Sequence, residues 1–303
     1  MKKSIIHLNP AVAKAIRAKK PVLALESTII SHGMPYPNNL KMALRLQEIA
    51  LDNGVQPATV AIIRGKLQIG LSNDEIDYLA KTKGVLKVSR PDFATCMALG
   101  LDGATTVAGT MIAANLAKLK VFATGAIGGV HRGAEDNFDI SADLTELSRT
   151  PVIVVSAGAK AILDLPKTIE YLETLGVPIL GFNTDQFPAF YSRKSGIPLY
   201  HKVTSAKEVA HIYKMHIKLG FNSGMLVANP IPSEHEIPSS EIEGIIKEAV
   251  KESIKSSIAK KDLTPFLLSK IVKLTDGKSL TANIKLVENN VIVGAKIARE
   301  LGW

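Results

Sequence analysis

Cysteine and long apolar runs are scarce in this chain of 303 residues. The only cysteine, Cys96, excludes an intrachain disulfide, and its apolar neighbours in FATCMALG favour a packed helix position over a nucleophile. The longest apolar runs, such as PVIVVSAGA from Pro151, are far shorter than the roughly 20 residues of a membrane-spanning helix. Residues 1–21 also lack the apolar centre of a signal peptide. We therefore expect a cytoplasmic protein with no membrane partner.

Aromatic residues are rare, at 5% of the chain, and acids are outnumbered by lysine and arginine, which gives a formal net charge of +9. Such a charge can attract nucleic acid. However, the lysines alternate with acids, as in EIEGIIKEAVKESIKSSIAKKD, and no stretch combines basic residues with stacking aromatics. We interpret the charge as a solvated helix surface and expect a phosphorylated small molecule, not nucleic acid, as the partner.

Apolar strand-like runs alternate with helical patterns along most of the chain. The run ATVAIIRGKLQIGLS is typical of two strands joined at Arg64-Gly65. Asn38 is a possible cap for the helix NNLKMALRLQEIALDNG, and Ser72-Asn73-Asp74-Glu75 predicts a capping box for a helix that runs through Ala80.

The clearest unit is the strand PVIVVS, a turn at Ala157-Gly158, the helix AKAILDLPKTIEYLETLG and the strand VPILGF. This βαβ pattern favours a parallel sheet. From Ser239 to Trp303 only helical patterns occur. We predict a three-layer α/β/α fold with a largely parallel central sheet and a helical C-terminal segment.

The segment ANPIPSEHEIPSSE is the best candidate for a domain boundary, but its prolines suit an ordered surface loop equally well. The chain has no internal repeat and no low-complexity linker.

Polar residues stand where several predicted strands end, which is where ligands collect in such folds. Glu26 closes the strand PVLALES, Lys87 lies in the short strand LKVSRPD, and Lys160 follows PVIVVS. Asp139 and Asp143 lie in the glycine-rich region after the strand VFATG. We expect these side chains near one ligand site.

Lys160 is predicted to begin a helix, where the helix dipole disfavours a cation. Burial among the small residues 156–159 would also favour the neutral amine, which is a nucleophile towards carbonyl carbon. The alternative is a lysine whose stem reaches solvent.

Glu26 likewise has two interpretations: a general acid or base with a shifted pKa, or a cap for a neighbouring helix. His32 and His131 lie in turn-like settings that suit substrate contact or a plain surface position. His211 and His216 are five residues apart, which is not the spacing of a helical zinc pair.

The segment DNFDISADL carries three acids, Asp136, Asp139 and Asp143. Carboxylates without histidine or cysteine suit a hard ion such as Mg²⁺ or Mn²⁺. Alternatively, Ser141 or Asp143 caps the following helix, LTELS. The nearby TGAIGGVHRG is neither a dinucleotide fingerprint nor a P-loop, although its amides can hold a phosphate.

A set of long motifs between Val22 and Asn290 resembles the pseudouridine-5'-phosphate glycosidase family, also called the indigoidine synthase A family. In chain order the motifs are ALESTIISHGMPYP, PATVAIIRG, KVSRPD, GATTVAGTM, VFATGAIGGVHRGAE, FDISADL, VSAGAKAILDL, YLETLGVPILGF, VANPIP, TPFLL and ANIKLVENN. The resemblance implies one glycosidase domain over residues 1–303. It also implies reversible cleavage of pseudouridine 5'-phosphate, with water, to uracil and ribose 5-phosphate.

The same resemblance implies roles for individual residues. Glu26 matches the family's proton donor, Lys160 its nucleophile and Asp139 the ligand of a divalent metal, typically one Mn²⁺ per subunit, with other divalent ions possible. The positions implied to line or approach the substrate are Lys87, Val107, Ser141, Ala142, Asp143, His131 and Asn283. The family is commonly a homotrimer.

The implied reaction opens the ribose ring and forms a Schiff base with Lys160, with Lys87 either keeping Lys160 neutral or holding the sugar phosphate. The alternative function is a Schiff-base lyase or aldolase acting on another sugar phosphate, which would share the lysine but release no uracil. A third function, that of a ribokinase-type kinase, is not favoured because the chain lacks the phosphate-loop and base motifs expected of such a kinase.

Overall fold

The protein was analysed as a computed structural model that describes residues 5–256, 258 and 263–302. Its central layer is a mostly parallel sheet, as predicted. Within the described ranges the strands are β1 (Ile6–Leu8), β2 (Val22–Leu25), β3 (Gln56–Ile63), β4 (Lys66–Ile69), β5 (Leu86–Val88), β6 (Gly103–Thr105), β7 (Val121–Ala123), β8 (Ile153–Ser156), β9 (Ile179–Phe182), β10 (His201–Val203) and β11 (Met225–Ala228).

The strand order is β1-β4-β3-β2-β7-β8-β11-β9-β10, and β6 joins β5 to β3. Only the pairings of β3 with β4 and with β6 are antiparallel among these described strands. The predicted βαβ unit is confirmed, since β8 and β9 both run parallel to β11, which lies between them. The turn predicted at Arg64-Gly65 does connect two strands, β3 and β4.

Helices cover both faces of the sheet. In chain order they are α1 (Pro10–Arg17), α2 (Asn38–Asp52), α3 (Asn73–Lys81), α4 (Arg90–Ala98), α5 (Val107–Leu116), α6 (Ala134–Asn137), α7 (Ala142–Leu147), α8 (Leu165–Thr174), α9 (Ala206–Lys218), α10 (Ser239–Lys255), α11 (Leu263–Leu274) and α12 (Lys278–Leu301). The predicted helical C-terminal segment corresponds to α10, α11 and α12, and Trp303 lies outside the described residues.

The core has two parts. One part lies between the sheet and the long last helix, α12, and the other lies between the sheet and the small-residue helix α5. α12 packs on β2, β7 and β8, and α5 packs on β2, β3 and β7. Gly294 lets α12 approach closely, because a methyl group there would lie 3.0 Å from Leu23 Cδ1 and 3.1 Å from Ala123 Cβ. The strands β2, β7, β8 and β11 are buried along their whole length, which explains their continuous apolar runs.

Several helix ends follow local sequence signals. Ser72 and Glu75 form the predicted capping box of α3. Asn38 is the first residue of α2, and Pro37 holds the cap position assigned to Asn38 by the sequence pattern. β1 and α1 were not predicted, and β1 extends the sheet beside β4.

The predicted start of a helix at Lys160 is wrong. α8 begins at Leu165, where the Asp164 side chain accepts from the Lys167 N–H and a proline occupies the first turn. A proline nitrogen has no hydrogen to donate to an earlier turn, so Pro166 is tolerated in the first turn of α8 but not in the interior of a helix that begins at residue 159 or 160. The argument from the helix dipole therefore does not apply to Lys160.

Within the proline-rich segment, residues 229–238 form an ordered loop between β11 and α10. It contains a short 3₁₀-helix, Ser233–His235, and its Ile231 and Ile237 are buried in the main hydrophobic core. Over the stretches that the structure describes, no helix is both long and apolar enough to cross a bilayer.

Candidate active site

Polar residues follow the carboxyl ends of three neighbouring parallel strands, and two of them, Glu26 and Lys160, were predicted to form the site. Glu26 directly follows β2, Thr124 follows β7, and Lys160 comes four residues after β8. These three strands are consecutive in the sheet, in the order β2-β7-β8. Because parallel strands end at the same edge, their following residues meet there.

Glu26 is mostly buried and is held by two hydroxyl groups. Thr28 Oγ1 donates to its Oε2, and Thr124 Oγ1 donates to its Oε1. Burial raises the pKa of the Glu26 carboxyl above its ordinary value, while the two hydrogen bonds and the charge of Lys160 act in the opposite direction. No helix N-terminus in the described residues donates to this carboxylate, so the alternative of a helix cap is wrong.

Lys160 is half-buried in an irregular loop between β8 and α8. Its backbone N–H donates to Ile127 O (3.1 Å), and its carbonyl accepts from Leu163 N–H (3.0 Å). Gly158, at φ +81°, starts this loop, where a side chain would collide with the carbonyl of Pro188. The backbone contacts fix Lys160 beside the glycine-rich loop, and its charge acts on both Glu26 and His131.

His131 links two of the predicted lysines to Asp139. Burial lowers the pKa of the His131 imidazole, the charges of Lys160 and Lys87 lower it further, and Asp139 raises it. His131 Nδ1 lies 4.0 Å from Asp139 Oδ2, and the His131 N–H donates to the Asp139 carbonyl (3.0 Å). Lys87 is half-buried on β5, a strand that pairs only with β6 among the described strands. Lys87, His131, Asp139 and Lys160 therefore belong to one electrostatic group.

Asp143 is 5% exposed and binds two backbone amides from different elements. Its Oδ1 accepts from Ala108 N–H (2.9 Å), in the first turn of α5, and its Oδ2 accepts from Gly128 N–H (2.8 Å). A methyl group on Gly128 would lie 2.8 Å from Asp143 Oδ2, so this approach requires glycine. The negative charge of Asp143 also acts on Glu26 and contributes to its raised pKa.

The three acids of DNFDISADL do not gather into one cluster. Asp136 is exposed on α6, the Asp139 side chain is 41% exposed, and Asp143 is buried on backbone amides. No group of three or more histidine, cysteine or acidic side chains is arranged as a metal site in the parts of the chain that are described. The capping alternative is confirmed for Ser141, whose Oγ accepts from Asp143 N–H (3.3 Å) at the start of α7.

The remaining predicted substrate positions lie at helix starts and on α12. Val107 opens α5 and is buried, and Ala142 opens α7 beside Ser141. Asn283, on α12, faces the end of β7: a methyl group on Gly125 would lie 3.6 Å from Asn283 Oδ1. These contacts place Asn283 beside the residue that follows Thr124.

Two residues that the sequence reasoning did not select hold the site together. Thr124 donates a hydrogen bond to Glu26, although the two residues are 98 positions apart in the sequence. Asn290 is fully buried, and its Nδ2 donates to the carbonyls of Thr124 (2.8 Å) and Gly125 (3.3 Å), while its Oδ1 accepts from Asn229 (2.8 Å). The only signal for Asn290 was its place in the motif ANIKLVENN, because an asparagine in a helix is otherwise unremarkable.

Polar residues that follow Glu26 in the sequence, and the remaining histidine and cysteine positions, lie in ordered parts of the structure. Ser27 Oγ accepts from Thr105 N–H (2.9 Å), and Ser31 Oγ donates to Leu79 O (3.3 Å). His32 lies in a π-helix, Ile29–Gly33. His216 is buried, with its Nε2 3.0 Å from Ser223 Oγ. Cys96 is fully buried in α4, as predicted, and burial raises the pKa of its thiol.

Comparison with known proteins identifies relatives along nearly the whole chain. The family model described as "Indigoidine synthase A like protein" matches residues 11–300. A protein of Caldanaerobacter subterraneus subsp. tengcongensis named pseudouridine-5'-phosphate glycosidase is 56% identical over 296 residues, 98% of this chain and 96% of that one. A protein of Clostridium botulinum with the same name is 54% identical, over 99% of this chain and 98% of its own.

Two solved structures share the fold. The prealnumycin C-glycosynthase AlnA, in complex with ribulose 5-phosphate, has a TM-score of 0.91 and 33% identity over 99% of this chain and 97% of its own. An indigoidine synthase A-like protein from Thermotoga maritima has a TM-score of 0.90 and 36% identity, over 99% and 98% of the two chains. This chain therefore belongs to the indigoidine synthase A-like family.

Proposed function

We propose that this protein is a pseudouridine-5'-phosphate glycosidase, which cleaves the C-glycosidic bond of its substrate reversibly, with water, to uracil and ribose 5-phosphate. Relatives of 52–56% identity over nearly the whole chain bear this name, and the structural neighbour AlnA, a C-glycosynthase, is in complex with a pentose phosphate. The observation that carries the proposal is the placement of a buried acid, Glu26, within electrostatic reach of Lys160 at the carboxyl edge of the sheet.

A C-glycosidic bond requires an unusual route. The leaving atom is carbon, so the protonation of a leaving oxygen on which ordinary glycosidases depend is not available. A lysine amine offers a different route, because a covalent C–N bond at C1' can become an iminium group that accepts the electrons of the breaking bond.

We propose that Glu26 donates its proton to the ribose ring oxygen while the neutral amine of Lys160 forms a bond to C1' and the C1'–O bond breaks. The new ammonium group then loses a proton and the uracil carbon gains one, so that the C1'–C bond can break. The nitrogen lone pair forms the C=N bond of a protonated lysine Schiff base, and the electrons of the broken bond leave with uracil. Water adds to the Schiff base and supplies the aldehyde oxygen of ribose 5-phosphate, the Lys160 amine is regenerated, and the proton released in this hydrolysis returns to Glu26. The raised pKa of Glu26 supports its role as the acid, since burial favours the protonated form.

The surrounding residues are proposed to bind and orient the substrate. Lys87 supplies positive charge for the phosphate or the sugar hydroxyls, next to His131. Val107 begins a ten-residue helix whose N-terminus favours an anion. Asp143, at the start of α7 with Ser141 and Ala142, binds Gly128, and Asn283 lies beside Gly125. Both glycines follow β7, and we propose that these four side chains line the substrate.

Asp139 fits the divalent ion, typically Mn²⁺, that the family resemblance implies. Its carboxylate is 41% exposed, and a hard ion that keeps most of its waters needs only one such protein ligand. A bound ion would offset phosphate charge and orient substrate oxygens. Asp143 is less suitable as a ligand, because both of its oxygens already accept backbone hydrogen bonds.

We further propose that residues 1–303 form one glycosidase domain, that the protein assembles as a homotrimer, and that it works in the cytoplasm in pseudouridine nucleotide catabolism. These proposals rest on the family resemblance and on the match of the family model to residues 11–300.

The test is release of free uracil from pseudouridine 5'-phosphate, with uridine 5'-monophosphate as the control substrate, on metal-stripped protein with and without Mn²⁺. We expect metal-dependent uracil from the C-nucleotide alone. If the folded protein releases no uracil but still forms a reducible adduct with ribose 5-phosphate, the function is instead that of a Schiff-base lyase on another sugar phosphate.

A further inference from the structure

The carboxylate of Glu26 is held from two sides by threonines that reach it along different paths. Thr28 lies two residues further along the chain, at the start of the π-helix Ile29–Gly33, and meets Oε2. Thr124 comes from the end of β7 and meets Oε1. Both oxygens of this partly buried acid therefore receive a hydroxyl hydrogen bond.

Thr124 is the more firmly fixed of the two. It is 2% exposed, its N–H donates to Val155 O (3.0 Å), and its carbonyl accepts from the buried Asn290 (2.8 Å). Thr28 is half-buried and has helical backbone angles (φ −60°, ψ −30°). Thr124, directly after β7, thus connects the acid to the sheet, and Thr28 holds the other carboxylate oxygen from two residues further along the chain.

Hydroxyl groups suit an acid that changes protonation state. An ionised carboxylate accepts two hydrogen bonds, and the protonated form needs one acceptor, which a threonine provides by rotating its O–H bond. Hydrogen bonds to the ionised form oppose the effect of burial on the pKa. The other charged groups that act on Glu26 are Lys160, from the loop after β8, and Asp143, from α7.

We propose that Thr28 and Thr124 are positioning residues that fix the Glu26 carboxyl and limit its proton affinity, so that the acid can release its proton. The catalytic meaning of this pair rests on the proposed function, in which Glu26 is the proton donor. The hydrogen bonds and their effect on Glu26 exist without substrate.

The direct test is a titration of Glu26 in protein labelled with [δ-¹³C]glutamate, with its signal assigned by its absence in Glu26→Gln. In Thr124→Val we expect the midpoint to rise by about one pH unit, a tenfold change in proton affinity, because one hydrogen bond to the charged form is lost. Thr124→Ser keeps the hydroxyl and should restore the wild-type midpoint. Thr275→Val, which removes a buried hydroxyl that bonds Ile271 and Ser279, should not shift it.

Thr28→Val provides a second variant in case Thr124→Val does not fold, and we expect a rise in the same direction. An unchanged midpoint in folded Thr28→Val and Thr124→Val would overturn the proposal, as would equal shifts in the valine and serine variants. In the enzyme assay, the limb of the pH profile that reports Glu26 should move to higher pH by the same amount as the titration midpoint. If wild-type protein releases no uracil, the proposed function fails while the titration still decides the role of the threonines.

Discussion

Lys160 and Glu26 are the two ionisable side chains to which we assign the proposed chemistry, and the structure holds them in different ways. Lys160 is held by backbone hydrogen bonds at both its N–H and its carbonyl, so its side chain starts from a fixed point. Glu26 is held through its side chain, by two hydroxyls. A lysine with a fixed backbone and a hydrogen-bonded acid suit the proposed reaction, which must form a bond to C1' while the ribose ring oxygen is protonated.

Replacing Lys160 by alanine should abolish uracil release and also remove the covalent label that ribose 5-phosphate and borohydride add to the protein. The reason is that the proposed Schiff base needs the lysine nitrogen. Mass spectrometry of the intact protein and of its peptides checks both results. Lys247→Ala, an exposed lysine on α10 paired with Glu243, is the control and should keep the label. A label on another lysine in wild-type protein would contradict the assignment.

Glu26→Gln should eliminate turnover yet make the protein more stable at neutral pH. The pKa of Glu26 is raised in the folded protein, so ionisation of this side chain lowers the free energy of unfolding. This loss is absent below the unfolded pKa of about 4.3 and develops as the pH rises through the folded pKa. Urea unfolding of both proteins at pH 4 and pH 8 measures this. The two stabilities should agree at pH 4 and diverge at pH 8, and a variant that is less stable at pH 8 would refute the expectation.

At the scale of elements, the site depends on how α4, α5 and α7 are joined. Asp143 connects α7 to the first turn of α5, and the guanidinium of Arg90, on α4, forms two hydrogen bonds of 2.6 Å to Glu146 on α7. Glu146 is 1% exposed and also accepts from Thr150. Helix α7, which is capped by Ser141, is therefore anchored through Asp143 in its first turn and through Glu146 in its last turn.

Arg90→Ala should lower the free energy of unfolding by about 2 kcal/mol, because it leaves the buried Glu146 carboxylate without its cation; half-exposure of the arginine keeps the loss modest. Arg45→Ala is a matched control: Arg45 is 49% exposed, against 50% for Arg90, but its partner Glu48 is itself 61% exposed. This control should leave the urea midpoint nearly unchanged. Equal losses in the two variants would show that the burial of Glu146 does not matter.

At the scale of the whole molecule, α12 joins parts of the chain that are distant in sequence. It packs on β2, β7 and β8 and contacts α2 and α9, so it touches both halves of the sheet. Asn290 adds hydrogen bonds from this helix to the loops after β7 and, through Asn229, after β11. Such cross-connections favour unfolding as one unit.

We therefore predict a single cooperative unfolding transition for residues 1–303. Cys96 is fully buried in α4 and is the only cysteine, so its reaction with a thiol reagent reports opening of the N-terminal part of the chain. Thiol reactivity and far-ultraviolet circular dichroism should follow the same urea curve. A thiol that becomes reactive well before the helical signal is lost would indicate two independent units.

Local patterns account for what the sequence predicted well. The apolar runs of β2, β7 and β8, the turn at Arg64-Gly65, the capping box at Ser72 and the helical end of the chain each depend on neighbouring residues only. The start of α8 was missed because the helical pattern was extended across residues 160–164, although the cap at Asp164 and the proline after it were local signals too.

The sequence by itself determined the order of most elements, the family resemblance and the residue types of the site, since these depend on composition, periodicity and motif. Only the tertiary structure decided that Thr124 holds Glu26, that Asp143 binds backbone amides of two other elements, and that Asp136, Asp139 and Asp143 separate into different surroundings. The physical reason is distance along the chain: Thr124 and Glu26 are 98 residues apart, and no local pattern encodes a contact that forms only when the strands come together.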